Sequence, residues 1–318
     1  MPFKPNCPMT NYISDIRIAA IATNPVIKFF GPLLDRIIGL NKLQKLYRDH
    51  QFSGLDKQQF SEKLLAVLGV NITGGENILG KIPKSGRFIV VCNHPYGIIE
   101  GVIIANLLFS KRNDTKIMAN IGLKNFKEIK DYFIFANPLK PKSPLNNLAI
   151  KQCFQHLEKD GLLVLFPAGR VSFYQADKQR ISDGQWNRLA IQLMKKTATP
   201  VLPVFISGTN SRLFHRLGRI YYRFRLLMLA RELIKLDKHT INLLANNILE
   251  PKLINEFSDN NTMNDFVRLQ CYLNDQKYFS PWKNVKQQTP FKAIISPTDN
   301  TAMNTELTNL PSKQHLLT

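Results

Sequence analysis

The sequence predicts an α/β fold: a mostly parallel sheet flanked by helices, preceded by an N-terminal helical region. Three observations support this. From about residue 75, short apolar runs rich in β-branched residues alternate with helical stretches of about 10–15 residues, the pattern of a largely parallel sheet. The strand-like runs stop at Gly or Pro turns. Before residue 75 the apolar spacing is helical instead.

Taken in order, "NPVIKFFGPLLDRIIGLNKLQKLYRDH" places Phe30, Leu33, Leu34 and Ile37 on one helical face. Pro32 suits a first helical position there, and Asp35 suits the positive end of the dipole. The Leu/Ile face of a helix over 32–48 is expected to pack onto the sheet domain; the alternative is that the helix lies on a membrane surface through Phe29, Phe30 and Leu33. A second helix reads in "DKQQFSEKLLAVLGV" (56–70), with Gly69 near its end. After the turn "KIPKSG", "RFIVVCNH" is a short buried strand and "GVIIANLLFSK" a helix. "KIMAN" and "YFIFAN" read as strands around a basic helical stretch, "LKNFKEIK". "LNNLAIKQCFQHLEKDG" is a helix closed by Gly161, and "LLVLFPAG" is a strand running into a turn. "QWNRLAIQLMKKTATP" is a helix, "VLPVFISG" a strand, and "TINLLANNIL" another strand. The division that follows is a helical region at 1–75, an α/β domain at 76–285 and a polar, Pro-, Asn- and Thr-rich tail at 286–318 expected to be disordered.

The composition of the 318-residue chain, 44% hydrophobic and 21% charged, allows a normal core. A net charge of +20 speaks to partners more than to fold: nucleic acid, anionic lipid, and phosphorylated or carrier-bound substrates all fit. Cys7, Cys92, Cys153 and Cys271 have no C-x-x-C spacing, which argues against a disulfide framework or zinc site and for a reduced compartment. No secretory pattern is visible at the N-terminus. No apolar run reaches the ~18 residues needed to span a bilayer.

Ligands of open α/β sheets bind outside the carboxyl ends of the strands. Two segments, "VVCNHPYGIIEG" and "VLFPAGRVS", place reactive residues there. Asn93 and His94 leave the first strand, Pro95 and Gly97 make the turn, and Glu100 falls near the first turn of the next helix. A carboxylate beside an imidazole fixes its tautomer and stabilises its protonated form, which makes it a competent base. This is the His–acid half of a triad without the serine, so the nucleophile would belong to the substrate. A strand-end His taken alone is more often a hydrogen-bonded structural residue. Cys92 reads as a small buried strand residue. His50, His156, His215, His239 and His315 have no carboxylate partner or ligand spacing.

"NHPYGIIEG", then "LFPAGRVS", then "PVLPVFISGTNSRLFHRLG" resemble the glycerolipid and lysophospholipid acyltransferase superfamily. More narrowly, they are similar to its bacterial branch of hemolysin-like acyltransferases. The resemblance covers roughly 80–250. It implies that His94 is the base, that Glu100 stands at the aspartate position as the longer acid, and that Phe166, Pro167 and Gly169 form the Phe-Pro-x-Gly motif. Pro203 matches the proline of the last block. Ala168 replaces the superfamily's Glu, and Arg170 comes one place early; no residue can be assigned to a second motif.

The implied activity is transfer of a fatty acyl chain from a thioester to a lipid-like acceptor. His94 would be the base and Glu100 its orienter. Asn93 and the backbone at Gly169 are candidate oxyanion donors. Phe166, Pro167, Gly169, Arg170 and Ser172 would line the substrate site, with Arg170 holding an anionic group or else pairing with Asp177 or Asp183. No metal or tightly bound cofactor is implied; the co-substrate would be acyl-coenzyme A or an acyl carrier protein thioester. The Arg-rich stretch 212–239, with interleaved aromatics, is expected to lie on an anionic membrane surface through charges that include Arg219, Arg223 and Arg225. The expected location is the cytoplasmic face of the membrane, bound peripherally. Two rival readings remain. One is a thioester hydrolase using the same base on water. The other is a basic nucleic-acid-binding protein, which the charge favours but no binding signature supports.

Overall fold

The computed structural model describes residues 23–273 apart from 126, 127, 139, 141, 177, 223 and 258. Cys7, His315, Asp177, Arg223 and the 286–318 tail therefore lie outside the described residues.

Asn24 opens the first helix, α1 (Pro25–Ile38), by accepting the Val26 amide at 2.9 Å, and Pro25 takes the first turn, where its missing N–H costs nothing. Pro32 therefore sits inside the helix and Asp35 beyond its first turn, correcting the expected start. Gly39, at φ +84°, breaks the expected continuous helix, and α2 (Leu40–Asp49) follows. The apolar face does not pack onto the domain as expected: Phe29 is 80% exposed and Leu33 57%, with Val26, Phe30 and Ile37 also exposed. The inward side is instead Gly31, Asp35, Ile38 and Gly39. The reason is close approach, since a Cβ on Gly39 would come within 2.9 Å of the Arg231 Cα.

Helix α3 (Lys57–Val67) starts with a capping box in which Asp56 accepts the Gln58 and Gln59 amides and Gln59 returns a bond to Asp56. Strand β1 (Asn71–Thr73) and helix α4 (Gly75–Lys81) come next, then β2 (Phe88–Cys92), α5 (Ile99–Phe109), β3 (Lys116–Asn120), β4 (Phe133–Ala136), α6 (Pro144–Glu158) and β5 (Leu162–Leu165). The basic segment between β3 and β4 forms two short 3₁₀ turns, Ile121–Asn125 and Lys130–Tyr132, rather than the expected helix. A hairpin of β6 (Phe173–Gln175) and β7 (Arg180–Ser182) precedes α7 (Leu189–Thr197) and β8 (Val201–Ile206). The basic stretch forms α8 (Arg212–Ile220) and α9 (Phe224–Ile234), which are followed by β9 (Thr240–Ala245) and α10 (Asn260–Tyr272).

The seven-stranded sheet runs β1-β9-β8-β2-β5-β3-β4, with every described pairing parallel except β8–β9. The sheet is mostly parallel and helix-flanked, as predicted. Alternation along β2 splits the core. Phe88, Val90 and Cys92 pack toward α3, α4 and α5, while Ile89 and Val91 pack toward α6, α7 and α10. Tyr47, Phe52 and Phe60 of the helical region belong to the first of these cores, and β1 joins the sheet. For site building, the decisive feature is that β2 lies between β5 and β8. The segments leaving those three strands therefore emerge side by side at one edge.

Candidate active site

His94 leaves β2 two residues beyond its last strand position, with its backbone held on both sides. Its N–H donates to Asp183 Oδ1 at 3.1 Å, and its carbonyl accepts from the Ser172 amide at 2.7 Å. The ring lies against Phe166 from the neighbouring strand end, with centroids 4.8 Å apart, and remains 17% exposed. Its Nδ1 faces Glu100 Oε1 at 3.3 Å, an ion-pair contact short of good hydrogen-bond geometry. Nε2 has no hydrogen-bond partner among the described residues.

Glu100 is fully buried in the first turn of α5. Its carboxylate accepts the Tyr96 amide at 2.5 Å and the Gly97 amide at 2.9 Å, closing the Asn-His-Pro-Tyr-Gly turn against the helix. The backbone donors and the positive end of the helix both favour the charged acid. Burial pushes the Glu100 carboxyl up, but the His94 charge and contact, together with the Gly97 amide, outweigh it and hold the group below its usual range. Burial likewise works against a charged His94. The Glu100 charge and contact, with Asp183 behind them, overcome it and raise the imidazole above 6.5. Gly97, at φ +102°, is required: a Cβ there would fall 2.6 Å from Val171 and 2.7 Å from Leu229.

Phe166 and Pro167 leave β5 beside this loop. Pro167 O accepts from the Asn187 amide at 2.9 Å and from its side chain at 2.6 Å, which anchors the turn. Gly169 adopts φ +59°, with open space where a side chain would stand. Arg170 is exposed, its guanidinium 5.7 Å from the Tyr222 ring centroid.

Two assignments need correction. Ser172 does not face a ligand: it is buried, and its hydroxyl donates to Asp183 at 2.5 Å. Asn93 does not point at a reacting carbonyl. Its amide donates to Ile206 O at 2.9 Å and accepts from Ile206 N at 2.7 Å, tying the end of β2 to the end of β8. Cys92 is a buried core thiol, and burial pushes it well above its ordinary value.

Asp183 is not the mate of Arg170 that its place in the sequence suggests. The β6–β7 hairpin instead brings it back opposite Ser172, fully buried, where it accepts from Ser172, from Trp186 Nε1 at 2.9 Å and from the His94 amide. Its own amide donates to the Tyr272 hydroxyl at 3.0 Å. Replacing it by alanine strands two buried donors and the part-buried His94 amide, each buried one worth about 1–3 kcal/mol. Asp183→Ala is therefore expected to lose about 3 kcal/mol or more in denaturant unfolding. Asp183→Asn, which keeps acceptor capacity, is expected to lose clearly less. Equal stability of Asp183→Ala and the parent protein would remove it from the site's framework.

Fold and site together define an α/β protein in which an imidazole faces a buried carboxylate at the carboxyl edge of the central strand. A family model described as Acyltransferase matches residues 26–269, and the chain belongs to that family; it is an acyltransferase. Two similar curated proteins carry the name lyso-glycine lipid O-acyltransferase. The one from Phocaeicola vulgatus is 26% identical over 226 residues, covering 68% of this chain and 77% of its own. The one from Bacteroides thetaiotaomicron is 28% identical over 174 residues, and the chain spans only 60% of its length, against 52% of this chain. Among solved structures, the 1-acyl-sn-glycerophosphate acyltransferase PlsC from Thermotoga maritima aligns with a TM-score of 0.42 and 18% identity, over 76% of this chain and 86% of its own.

Proposed function

We propose that the protein moves a fatty acyl chain from an acyl thioester to the hydroxyl of a single-chain lipid, with His94 as base and Glu100 as its orienter. The carrying observation is the arrangement of the ring: Nδ1 turned to a buried carboxylate, Nε2 without a hydrogen-bond partner among the described residues. With the Nδ1 proton directed at Glu100, the Nε2 lone pair takes the acceptor's hydroxyl proton as its oxygen attacks the thioester carbonyl. The C–S bond then breaks, and the imidazolium returns the proton to the leaving thiolate. Carboxylate support of the imidazolium is the logic of a triad whose nucleophile is the substrate. The names of the two similar curated proteins support a lipid acceptor. The donor would be acyl-coenzyme A or an acyl carrier protein thioester, with no metal or tightly bound cofactor, and Arg170 would meet an anionic group.

The reading also places the protein peripherally on an anionic membrane at its cytoplasmic face. No helix among the described residues is long and apolar enough to cross a membrane. The exposed face of α1 and the exposed Ile220 (76%), Tyr221, Phe224 and Leu227 around α8 and α9 offer apolar contact, with Lys28, Arg36, Arg216 and Arg219 as charges. Helix α9 packs against α1, which makes the two faces neighbours. Cys92, Cys153 and Cys271 are free thiols, which suits a reducing compartment.

The test is acyl transfer by the purified full chain from acyl-coenzyme A to lysolipids carried in vesicles. Acylated lipid is expected to exceed released fatty acid. Binding is expected to be tighter to anionic than to neutral vesicles and to weaken with salt, which cuts the reach of surface charge to about 8 Å at physiological strength. Release of free acid alone would establish hydrolysis instead, and equal binding to both vesicle types would remove the anionic surface.

A further inference from the structure

The loop that leaves β8 and enters α8, residues 207–211, closes over the His94 turn. Asn210 is 6% exposed there, and its Nδ2 donates to the Tyr96 carbonyl at 3.0 Å. The Tyr96 ring is buried against Gly208, so closely that a Cβ at Gly208 would overlap the phenol oxygen. Both ends of the loop are fixed. Asn93 clasps Ile206 at its start, and at its end the Ser211 amide and hydroxyl donate to Glu232 of α9 at 2.7 and 2.8 Å.

The Asn210 contact falls on one particular peptide group. The Tyr96 carbonyl and the Gly97 N–H belong to the same plane, and that N–H donates to both Glu100 oxygens at 2.9 Å. Carbonyl and N–H point opposite ways across a trans peptide. Asn210 therefore holds one side of the plane and Glu100 the other. The Tyr96 amide, one peptide earlier, donates to Glu100 Oε1, the oxygen that faces His94 Nδ1 at 3.3 Å. A connected chain thus runs from Asn210 through the Tyr96–Gly97 peptide to Glu100 and the imidazole, and linked bonds of this kind polarise one another. Gly97, at φ +102°, gives this plane the freedom to turn over, as glycine-bearing turns do when types I and II interchange. Turned over, the plane would present a carbonyl to the buried carboxylate in place of a donor.

The charges that act on His94 are those of Glu100 on α5 and Asp183 beyond β7. The other titratable groups of the cluster, Tyr96 and Cys92, stay protonated. Burial and then the Glu100 charge push the Tyr96 phenol up to about 12 and the Cys92 thiol well above its ordinary value. Asn210 is uncharged, so its influence on His94 passes through the placement of Glu100.

We propose that Asn210 is a positioning residue for the transfer: by holding the Tyr96–Gly97 peptide it keeps the Gly97 N–H on Glu100 and so fixes the carboxylate against His94. The inference rests on the acyl-transfer reading for its kinetic consequence and on the hydrogen-bond chain for its physical one.

The test uses the full chain with Asn210→Ala, which removes the donor, and Asn210→Gln, which keeps one on a longer stem. Asn210→Ala is expected to lose about tenfold or more in kcat and kcat/KM alike, the pattern of an interaction made only in the transition state. The ascending limb of its kcat/KM profile is expected to move to lower pH. So is the His94 ring titration followed by NMR, with the signal assigned by its absence in His94→Ala. Asn210→Gln should recover part of both. In a Glu100→Gln background, Asn210→Ala should add little further loss, because its route to the base is already cut. Thermal unfolding controls for folding, and Asn210→Ser, with a shorter polar side chain, carries the test if Asn210→Ala does not fold. A folded variant whose limb and His94 titration stay in place would overturn the inference, whatever its kcat. So would a loss repeated in full in the Glu100→Gln background. Failure of the parent chain to acylate any acceptor would refute the acyl-transfer reading instead, and the NMR titration, which needs no substrate, would still decide for or against Asn210.

Discussion

Replacing His94 with alanine is expected to slow acyl transfer by about 10²–10⁴-fold, the usual worth of a positioned base. The fold should survive. The residue is held through its backbone amide and carbonyl, which alanine retains, while its ring contacts Phe166 and Glu100. A purified variant with parental thermal stability and a lost kcat is the predicted result. A folded variant with near-normal kcat would end the case for His94 as the base.

Glu100→Gln should be nearly as damaging and should leave a distinct trace in the pH profile. A base acts in its neutral form. The Glu100 and Asp183 charges together raise the His94 pKa above 6.5 against the pull of burial, so kcat/KM of the parent should rise with pH along a limb centred above 6.5. An amide removes the larger of the two supporting charges while burial remains, so the limb should move to lower pH. The maximum rate should also fall about 10²-fold or more, because an uncharged partner cannot stabilise the imidazolium that forms in the transition state. The Gln side chain can still accept the Tyr96 or Gly97 amide, which separates this loss from collapse of the turn. Glu100→Asp should be milder. A limb that stays in place in Glu100→Gln would reduce Glu100 to a closer of the turn.

The sheet and the two loops that carry the site were legible because each β strand leading to them is a run of buried apolar residues cut short by Asn-His-Pro or Phe-Pro. Strong punctuation of that kind sets an element boundary locally. Three-residue strands carry no periodicity, so β1 and the β6–β7 hairpin went unread, and with the hairpin the position of Asp183. The roles of Ser172 and Asn93 were misjudged for a related reason. A polar residue beside a base reads as chemistry, and only the register β2 shares with β8 shows that Asn93 spends its amide on Ile206. Helix α1 shows the limit of periodicity itself: the apolar stripe was correctly located, but the side that packs inward is chosen by a glycine surface against α9. Arg225 is only 8% exposed rather than on the membrane-facing side expected of it, since its burial depends on a gap left by Gly218 in a different helix.

The two loops around His94 share anchors drawn from distant parts of the chain. The Ser172 amide meets the His94 carbonyl, Asn93 clasps Ile206, Tyr272 of α10 holds the Asp183 amide, and Arg268 Nη2 donates to the Asp183 carbonyl at 2.8 Å. Local opening in proteins tends to follow contiguous segments with few buried contacts. Among the described residues the His94 segment is bonded to the end of β8 and to the Ser172–Asp183 hairpin, and that hairpin in turn to α10, so the anchors form one connected set. The edge that carries His94 is therefore expected to open only together with the sheet, so that protection of its backbone amides in hydrogen exchange should match that of the central strands.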